Sequence, residues 1–474
     1  MAPPRRPQGW RRSTPRTAWF PLPGPGWMIP GGPAGAYEWG MTRTIDRDAI
    51  ARLLAGCFTG SPGPGVVPGG RTEALRLLEA YDPSGYGRGR NHLQGPVSRL
   101  SPYLRHGMVS AVEVRDRLRE RFGADPARLD EFFRQLAWRD FFSKVLAWHG
   151  RGLEDDIEEP KHPVPRERRL PLDIAEGNTG LPCVDGMLGE LYGGGHLHNH
   201  ARLWFAAYWC HFRGLDWREG ARLFRRFLLD GDTASNFSSW QWVEGTFASK
   251  PYFMNRENIE NFSGGSWCRG CRASCPFDRS YPELQRILFG ASLAPLAGLG
   301  GAAGVPGPAP EAGGDGPAMP PAAEIVWMHD GAMSRESPAV RANPGSPVVF
   351  AFDTPAMRAE PSAWHRVAFM LDGLDDLAAR QPGSPVVVVA GELAEAVGRA
   401  ARAAGAGTIH LDASAEPAVS EAAARLGERF RVVEHAVAAL AVVEGEPRRF
   451  SRYWEKAAPQ VTGRRAERGA RWHR

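Results

Sequence analysis

Residues 230–253, DGDTASNFSSWQWVEGTFASKPYF, decide how the rest of the chain is read. Asp230 and Asp232 stand two apart, Asn236 follows the first by six, and Trp240-Gln241-Trp242 precedes Lys250-Pro-Tyr-Phe. Carboxylates and a carboxamide accept hydrogen bonds from a polar ligand, and indoles pack against flat rings. Read without a ligand, the same residues are a buried aromatic cluster capped by surface acids.

Outward from this stretch, the pattern from Ile45 to Phe289 is mostly helical. AVEVRDRLRERFG, LDEFFRQLAWRDFFSKVLAWHG and WREGARLFRRFLLD repeat apolar residues at helical spacing. A Gly/Ala/Pro run over 290–323 reads as a flexible linker. Beyond it, AEIVWMHD, PVVFAFD, PVVVVAG and TIHLDA alternate with helical stretches, which argues for a parallel α/β domain over 324–460. Residues 1–44, rich in Pro, Gly and Arg without a sustained period, are expected to be disordered, with Met41 as the expected translation start. The basic tail, 461–474, is also expected to be disordered.

The 474 residues suffice for about two or three domains. With 43% hydrophobic and 23% charged residues, the balance is that of a globular protein. The net charge is +5, and only Lys144, Lys161, Lys250 and Lys456 are lysines. Arginine forks suit phosphate, although genome composition accounts equally well for arginine replacing lysine. No apolar run is long enough for a transmembrane helix, and no apolar h-region follows the N-terminus. The expected compartment is the cytoplasm, where thiols stay reduced.

The segment 230–253 resembles the flavin-binding core of the DNA photolyase and cryptochrome family. The resemblance implies an all-helical FAD-binding domain over 45–289. SRLSPYL, from Ser98, is similar to the family's TSRLSPYL loop around the FAD phosphates, with Val97 in place of the threonine. It implies cofactor contacts from Val97, Ser98, Arg99, Leu100 and Ser101, and hydroxyls and helix-end amides do suit phosphate. In YGRGRN, Tyr86 is implied near the flavin and Arg90 near DNA. QLAWRDFF resembles the family's ELxWREF, so Arg139 would face the cofactor phosphates and Trp138 the substrate cavity. Gln135 stands where many cyclobutane-dimer photolyases have Glu, which puts a dimer-type substrate in question.

GGGHLHNHARLWF resembles GWMHNRLRM. Asn199 would sit near flavin and substrate, and Arg202 would pair with Asp230; either charge buried alone would be costly. His200 replaces an Arg common in DNA repairers. Asp230, Gly231 and Asp232 are implied at the ribityl chain and ring edge, Asn236 beside N5, and Trp242 on the DNA side. Tryptophan passes single electrons to an excited ring, and Trp240 and Trp217 match the first two of the family's three. The third has no counterpart, since no Trp lies between Trp148 and Trp204. Trp204, Trp209 and Trp267 are the candidates to replace it.

The six cysteines are Cys57, Cys183, Cys210, Cys268, Cys271 and Cys275. The close spacing of the last three suits a soft metal or an iron–sulfur cluster, with Cys183 as the obvious fourth ligand. The layout resembles the photolyase branch that holds a 4Fe-4S cluster, and zinc is the main alternative.

The α/β domain is similar to the Rossmann-like antenna domain that the family carries at its N-terminus, so the domains would stand in permuted order. IVWMHDGAM lacks the Arg-Asp-Leu-Arg of that domain, which leaves the antenna chromophore open. A generic Rossmann-like fold with another role is the alternative. No G-x-G-x-x-G opens it, which argues against a nicotinamide site. The implied activity is light-driven repair of pyrimidine photoproducts in DNA by electron transfer from reduced FAD. The alternative is a cryptochrome-like blue-light receptor without repair, acting through a signalling partner.

Overall fold

The computed structural model describes residues 45–162, 166–290, 319–380 and 383–463. The N-terminal segment with Met41, most of the linker and nearly all of the basic tail lie outside the described residues.

Helices form where the apolar periodicity places them. Ala111–Phe122 (α1) starts behind Ser110, whose hydroxyl accepts from the Glu113 amide. Pro126–His149 (α2) starts behind Asp125 with proline in its first turn, and its 24 residues span about 36 Å. Around it lie Pro182–Gly194 (α3), Asn199–Ala207 (α4), Trp217–Phe227 (α5) and Ser238–Glu244 (α6). Two π-helical turns, Tyr208–Phe212 after α4 and Thr233–Phe237 before α6, were not foreseen. Such turns recur at functional sites because they re-aim side chains by one position.

The second region is a five-stranded parallel sheet. Its strands are Glu324–Met328 (β1), Val348–Asp353 (β2), Val386–Gly391 (β3), Thr408–Asp412 (β4) and Arg431–His435 (β5), in the order β3-β2-β1-β4-β5. The register pairs Val326 with Val348, Val348 with Val386, and Ile409 with both Ile325 and Val432. The crossovers carry Trp364–Arg380 (α7), Leu393–Ala404 (α8) and Pro417–Gly427 (α9), and Phe450–Thr462 (α10) follows the sheet. β5 was missing from the sequence reading; at the sheet edge, RVVEH buries neither face fully and so lacks a continuous apolar run.

The strand period of two divides the sheet's side chains between two cores. Ile325, Trp327, Val349 and Ile409 pack with α8 and α9. Val326, Met328, Val348 and Phe350 join the core of the helical region through α7. Polar ties reinforce this junction. Asp372 accepts from the Gly69 amide at 2.9 Å, the Trp364 indole donates to Gly63 O at 2.7 Å, and Arg366 donates to Gly231 O at 3.1 Å. Phe58–Thr59 also pairs in parallel with Ser362–Ala363. α10 packs on α2 rather than on the sheet: Tyr453 donates to Asp140 at 2.5 Å, and Arg119 donates to Val461 O at 2.8 Å. No helix among the described residues is long and apolar enough to cross a membrane.

Candidate functional site

A cavity of about 490 Å³ opens in the helical region, a size suited to a cofactor. The short helices Tyr86–Gly89 and Ser101–Arg105 and the segment between them contribute Tyr86, Arg90, Val97, Ser98 and Ser101 to its wall. α2 contributes Gln135, Trp138 and Arg139, and α4 contributes Asn199 and Arg202. These positions recur at three and four residues, so each helix presents one face. Asp230, Asn236, Trp240 and Trp242 complete the wall from the opening stretch.

Arg202 donates to Asp230 Oδ2 at 3.1 Å; Oδ1 lies 2.9 Å from the same guanidinium but without hydrogen-bond alignment. Burial pushes the Asp230 carboxyl up, yet Arg202 and the Ser101 hydroxyl outweigh it and hold it at about 2. The Asn236 amide nitrogen donates to Ala221 O at 2.7 Å, which turns its carbonyl oxygen away from that contact. Trp240 lies over Gly220, where an added Cβ would fall 2.3 Å from the ring. The Trp240 indole N–H and the Ser235 hydroxyl are buried without partners. They leave polar groups on this wall for an occupant to satisfy.

Several other assigned residues lie outside this wall. Leu100 is fully buried and Arg99 is exposed, with φ of 56°. Gly231 and Asp232 line a second cavity instead. Asp232 accepts from Arg139 at 3.1 Å and caps the π turn through the amides of Ser235 and Asn236, so it meets the first cavity only through Arg139 and the π turn. His200, expected on the DNA side, is buried and stacked on Phe262, 4.8 Å between centroids, because α4 turns it into the core beside Trp204. Trp217 is buried and its indole donates to Asp156 at 2.8 Å. Trp240 has Trp209 edge-on at 6.1 Å, and Trp204 has Trp267 at 6.2 Å. Trp138 is stacked on Phe450 of α10 at 3.8 Å and 11°.

Cys183, Cys268, Cys271 and Cys275 line one small cavity of about 20 Å³ and are unpaired. Burial, then the neighbouring Cys268 and Cys275, push the Cys183 thiol up to about 12. Among the described residues, no three His, Cys, Asp or Glu side chains are grouped to hold a metal ion.

The second cavity, about 360 Å³, lies between the two regions beside Trp327, Asp330, Phe350 and Glu416 of the sheet side and Arg105 of the helical side. Sequence reasoning missed it. Its one local signal was a charged residue, Asp330, just past the end of a buried strand, where open α/β sheets place ligands. Arg105 donates to Asp330 at 2.8 Å. Burial raises the Asp330 carboxyl, but Arg105 and His106 bring it well below the usual range. Arg105 Nε, Arg366 Nε and Trp327 Nε1 are buried without acceptors, all on residues of this cavity.

With that geometry in view, residues 132–265 match the family described as the FAD binding domain of DNA photolyase. The deoxyribodipyrimidine photo-lyase of Streptomyces griseus is 37% identical over 206 residues, 41% of this chain and 41% of that protein. That of Thermus thermophilus is 33% identical over 255 residues, 51% of this chain and 54% of that protein. A cryptochrome DASH of Natronomonas pharaonis is 32% identical over 183 residues, 36% and 39% of the two chains. The similarity therefore spans about half the length of these relatives or less.

Proposed function

We propose that this chain, whose residues 132–265 match the FAD binding domain of DNA photolyase, belongs to the photolyase/cryptochrome family, holds FAD in the 490 Å³ cavity and repairs pyrimidine photoproducts in DNA when lit. The observation that carries this reading is the convergence of Asp230, Arg202, Asn236 and Trp240 on one wall with polar atoms still unpartnered. Bound FAD, once reduced, supplies light absorption and a single electron for the lesion.

The chain's own residues bind and orient. Ser98 and Ser101 offer hydroxyls to the phosphates, with Arg139 beside them. Asp230, kept ionised by Arg202, accepts from the ribityl and ring edge, and Asp232 steadies the loop that carries Asn236. With its nitrogen tied to Ala221, Asn236 has its carbonyl oxygen free to accept from a ring N–H. Asn199 stands between flavin and substrate. Trp240 is the first electron carrier, and Trp209 joins Trp217 as a second because of its ring contact. Arg90, Gln135, Trp138 and Trp242 face a base flipped from the duplex.

The sheet order β3-β2-β1-β4-β5 supports a Rossmann-like reading of the second domain, in permuted order relative to the family. The interdomain cavity, with its three unpartnered N–H donors and aromatic wall, fits an antenna pigment. The four cysteines would hold a 4Fe-4S cluster. Zinc is the alternative occupant, and iron, sulfide and zinc analysis of the purified protein tests the two.

A receptor without repair remains the second reading, favoured by the stacking of Phe450 over the Trp138 face. The test is to reconstitute the protein with FAD, reduce it, illuminate it with ultraviolet-damaged oligonucleotides and count restored bases. Restoration of either lesion type supports repair. None, with normal flavin photoreduction, supports the receptor; failure to retain FAD overturns both.

A further inference from the structure

Glu131 lies on α2 one turn before Gln135. Its Oε1 accepts from the Gln135 side-chain amide at 2.9 Å and lies 3.2 Å from Arg90 Nε, and its Oε2 accepts from Arg134 at 3.4 Å. Gln135 and Arg90 both line the large cavity. Arg134 lines it too, so one carboxylate holds three wall residues, one amide and two guanidiniums.

A carboxylate can only accept. The contact therefore fixes which end of the Gln135 amide faces Glu131: the nitrogen does, and the carbonyl oxygen is left for the cavity. A glutamine without such an anchor flips, offering donor or acceptor as the ligand requires. Arg90, tied to the same oxygen, keeps its guanidinium beside this acceptor.

We propose that Glu131 is a positioning residue that sets the substrate selectivity of the cavity. It fixes Gln135 as an acceptor next to the Arg90 cation, and so selects a ligand with an imide N–H adjacent to a phosphodiester. The inference rests on the DNA-repair reading and names the ligand edge that this wall recognises. A thymine ring supplies that N–H, whereas an N3-methylated ring does not.

The test is equilibrium binding of the full-length, FAD-reconstituted protein in the dark to three single-stranded oligonucleotides: undamaged, carrying one thymine photodimer, and carrying the same dimer methylated at both N3 positions. The wild type is expected to prefer the imide dimer over the methylated one by about tenfold to a hundredfold, the cost of leaving a buried acceptor unpaired. Glu131→Gln should shrink that preference to within about threefold, because the amide is no longer locked, with flavin absorbance and thermal midpoint unchanged. Gln135→Leu, which leaves Glu131 in place, should abolish the preference as well. Full retention of the preference in either variant overturns the proposal. If the wild type binds the imide dimer no better than undamaged DNA, this proposal is overturned, and the repair reading fails as well if illumination restores neither lesion type. If it binds both dimers equally but better than undamaged DNA, repair stands and this proposal alone is overturned.

Discussion

The cavity proposed for FAD takes its wall from elements of the helical region alone, several of them presenting one helix face, whereas the interdomain cavity takes its wall from residues as far apart as Arg105 and Glu416. Both contain a buried Arg–Asp pair, Arg202–Asp230 in one and Arg105–Asp330 in the other. The difference teaches what each pair is for. Asp230 lies in the wall where FAD is proposed to bind, so its loss removes a cofactor acceptor and strands Arg202. Asp330 joins the sheet to the helical region, so its loss strands Arg105 and loosens docking.

The largest expected effect breaks this comparison open. Asp230→Ala should cost about 3–5 kcal/mol of stability, the usual penalty for a buried charge left alone, and abolish FAD retention, read from absorbance after gel filtration. Asp330→Ala should cost a similar amount but leave FAD affinity within about threefold, since no contact of Asp330 reaches the flavin wall. Equal loss of FAD in both variants would mean that the two cavities are one cooperative unit.

A second contrast concerns buried carboxylates beside arginine. Burial raises Glu244 to about 7, because Arg166, 3.3 Å from its Oε1, and the Cys210 thiol do not offset desolvation. At Asp230 the arginine wins. The signs are opposite. The folded state favours protonated Glu244, so its contribution is fully present below its ordinary value of 4.5 and lost as pH rises through about 7. Asp230 contributes above its ordinary value of 3.8, and that contribution is lost as pH falls towards 2. Glu244→Gln, a mimic of the protonated form, should gain up to about 3 kcal/mol above pH 7 and flatten the slope between 4.5 and 7 in urea titrations. An unchanged slope would show that Glu244 is ionised in the folded protein.

Two glycines extend the comparison to backbone. An added Cβ at Gly220 would lie 2.3 Å from the Trp240 ring, and one at Gly107, where φ is 64°, would lie 2.2 Å from Gly331 O across the domain junction. Either alanine should cost about 1–3 kcal/mol by overpacking. Only Gly220→Ala should also displace the indole and weaken FAD binding. A Gly107 variant that loses flavin would tie docking to cofactor affinity.

These contrasts show why one cavity was legible and the other was not. Gln135, Trp138 and Arg139, like Asn199 and Arg202, share helix faces, so helical spacing alone brings them together. Asp230 with Arg202 was legible only through the family resemblance. The cysteines could be collected by spacing because three of them are local. The interdomain cavity had no such signal: Arg105, Asp330, Arg366 and Glu416 meet only after the sheet docks. His200 failed for a related reason. Its motif fixed its place on α4, but packing against Phe262 decided which way it turned. Phe450 over Trp138 was invisible too, since nothing local says that the last helix returns to α2.

The smallest effect tests the loop that reads most like the family. Arg99 is the one non-glycine among the described residues with φ in the left-handed region, 56°. Its side chain is exposed, while its neighbours Ser98 and Ser101 line the cavity proposed for FAD. An L-residue there costs about 1–2 kcal/mol, whereas glycine adopts it freely at an entropic cost of about 0.5–1 kcal/mol. Arg99→Gly should therefore be neutral or stabilise by up to about 1 kcal/mol in denaturant titrations, and keep FAD affinity within about twofold, because the loop's shape is preserved. Arg99→Val, β-branched and ill-suited to this conformation, should lose both. A glycine variant that loses FAD while remaining folded would show that the guanidinium itself contributes to the cavity, and the strain would then be the cost of placing that charge.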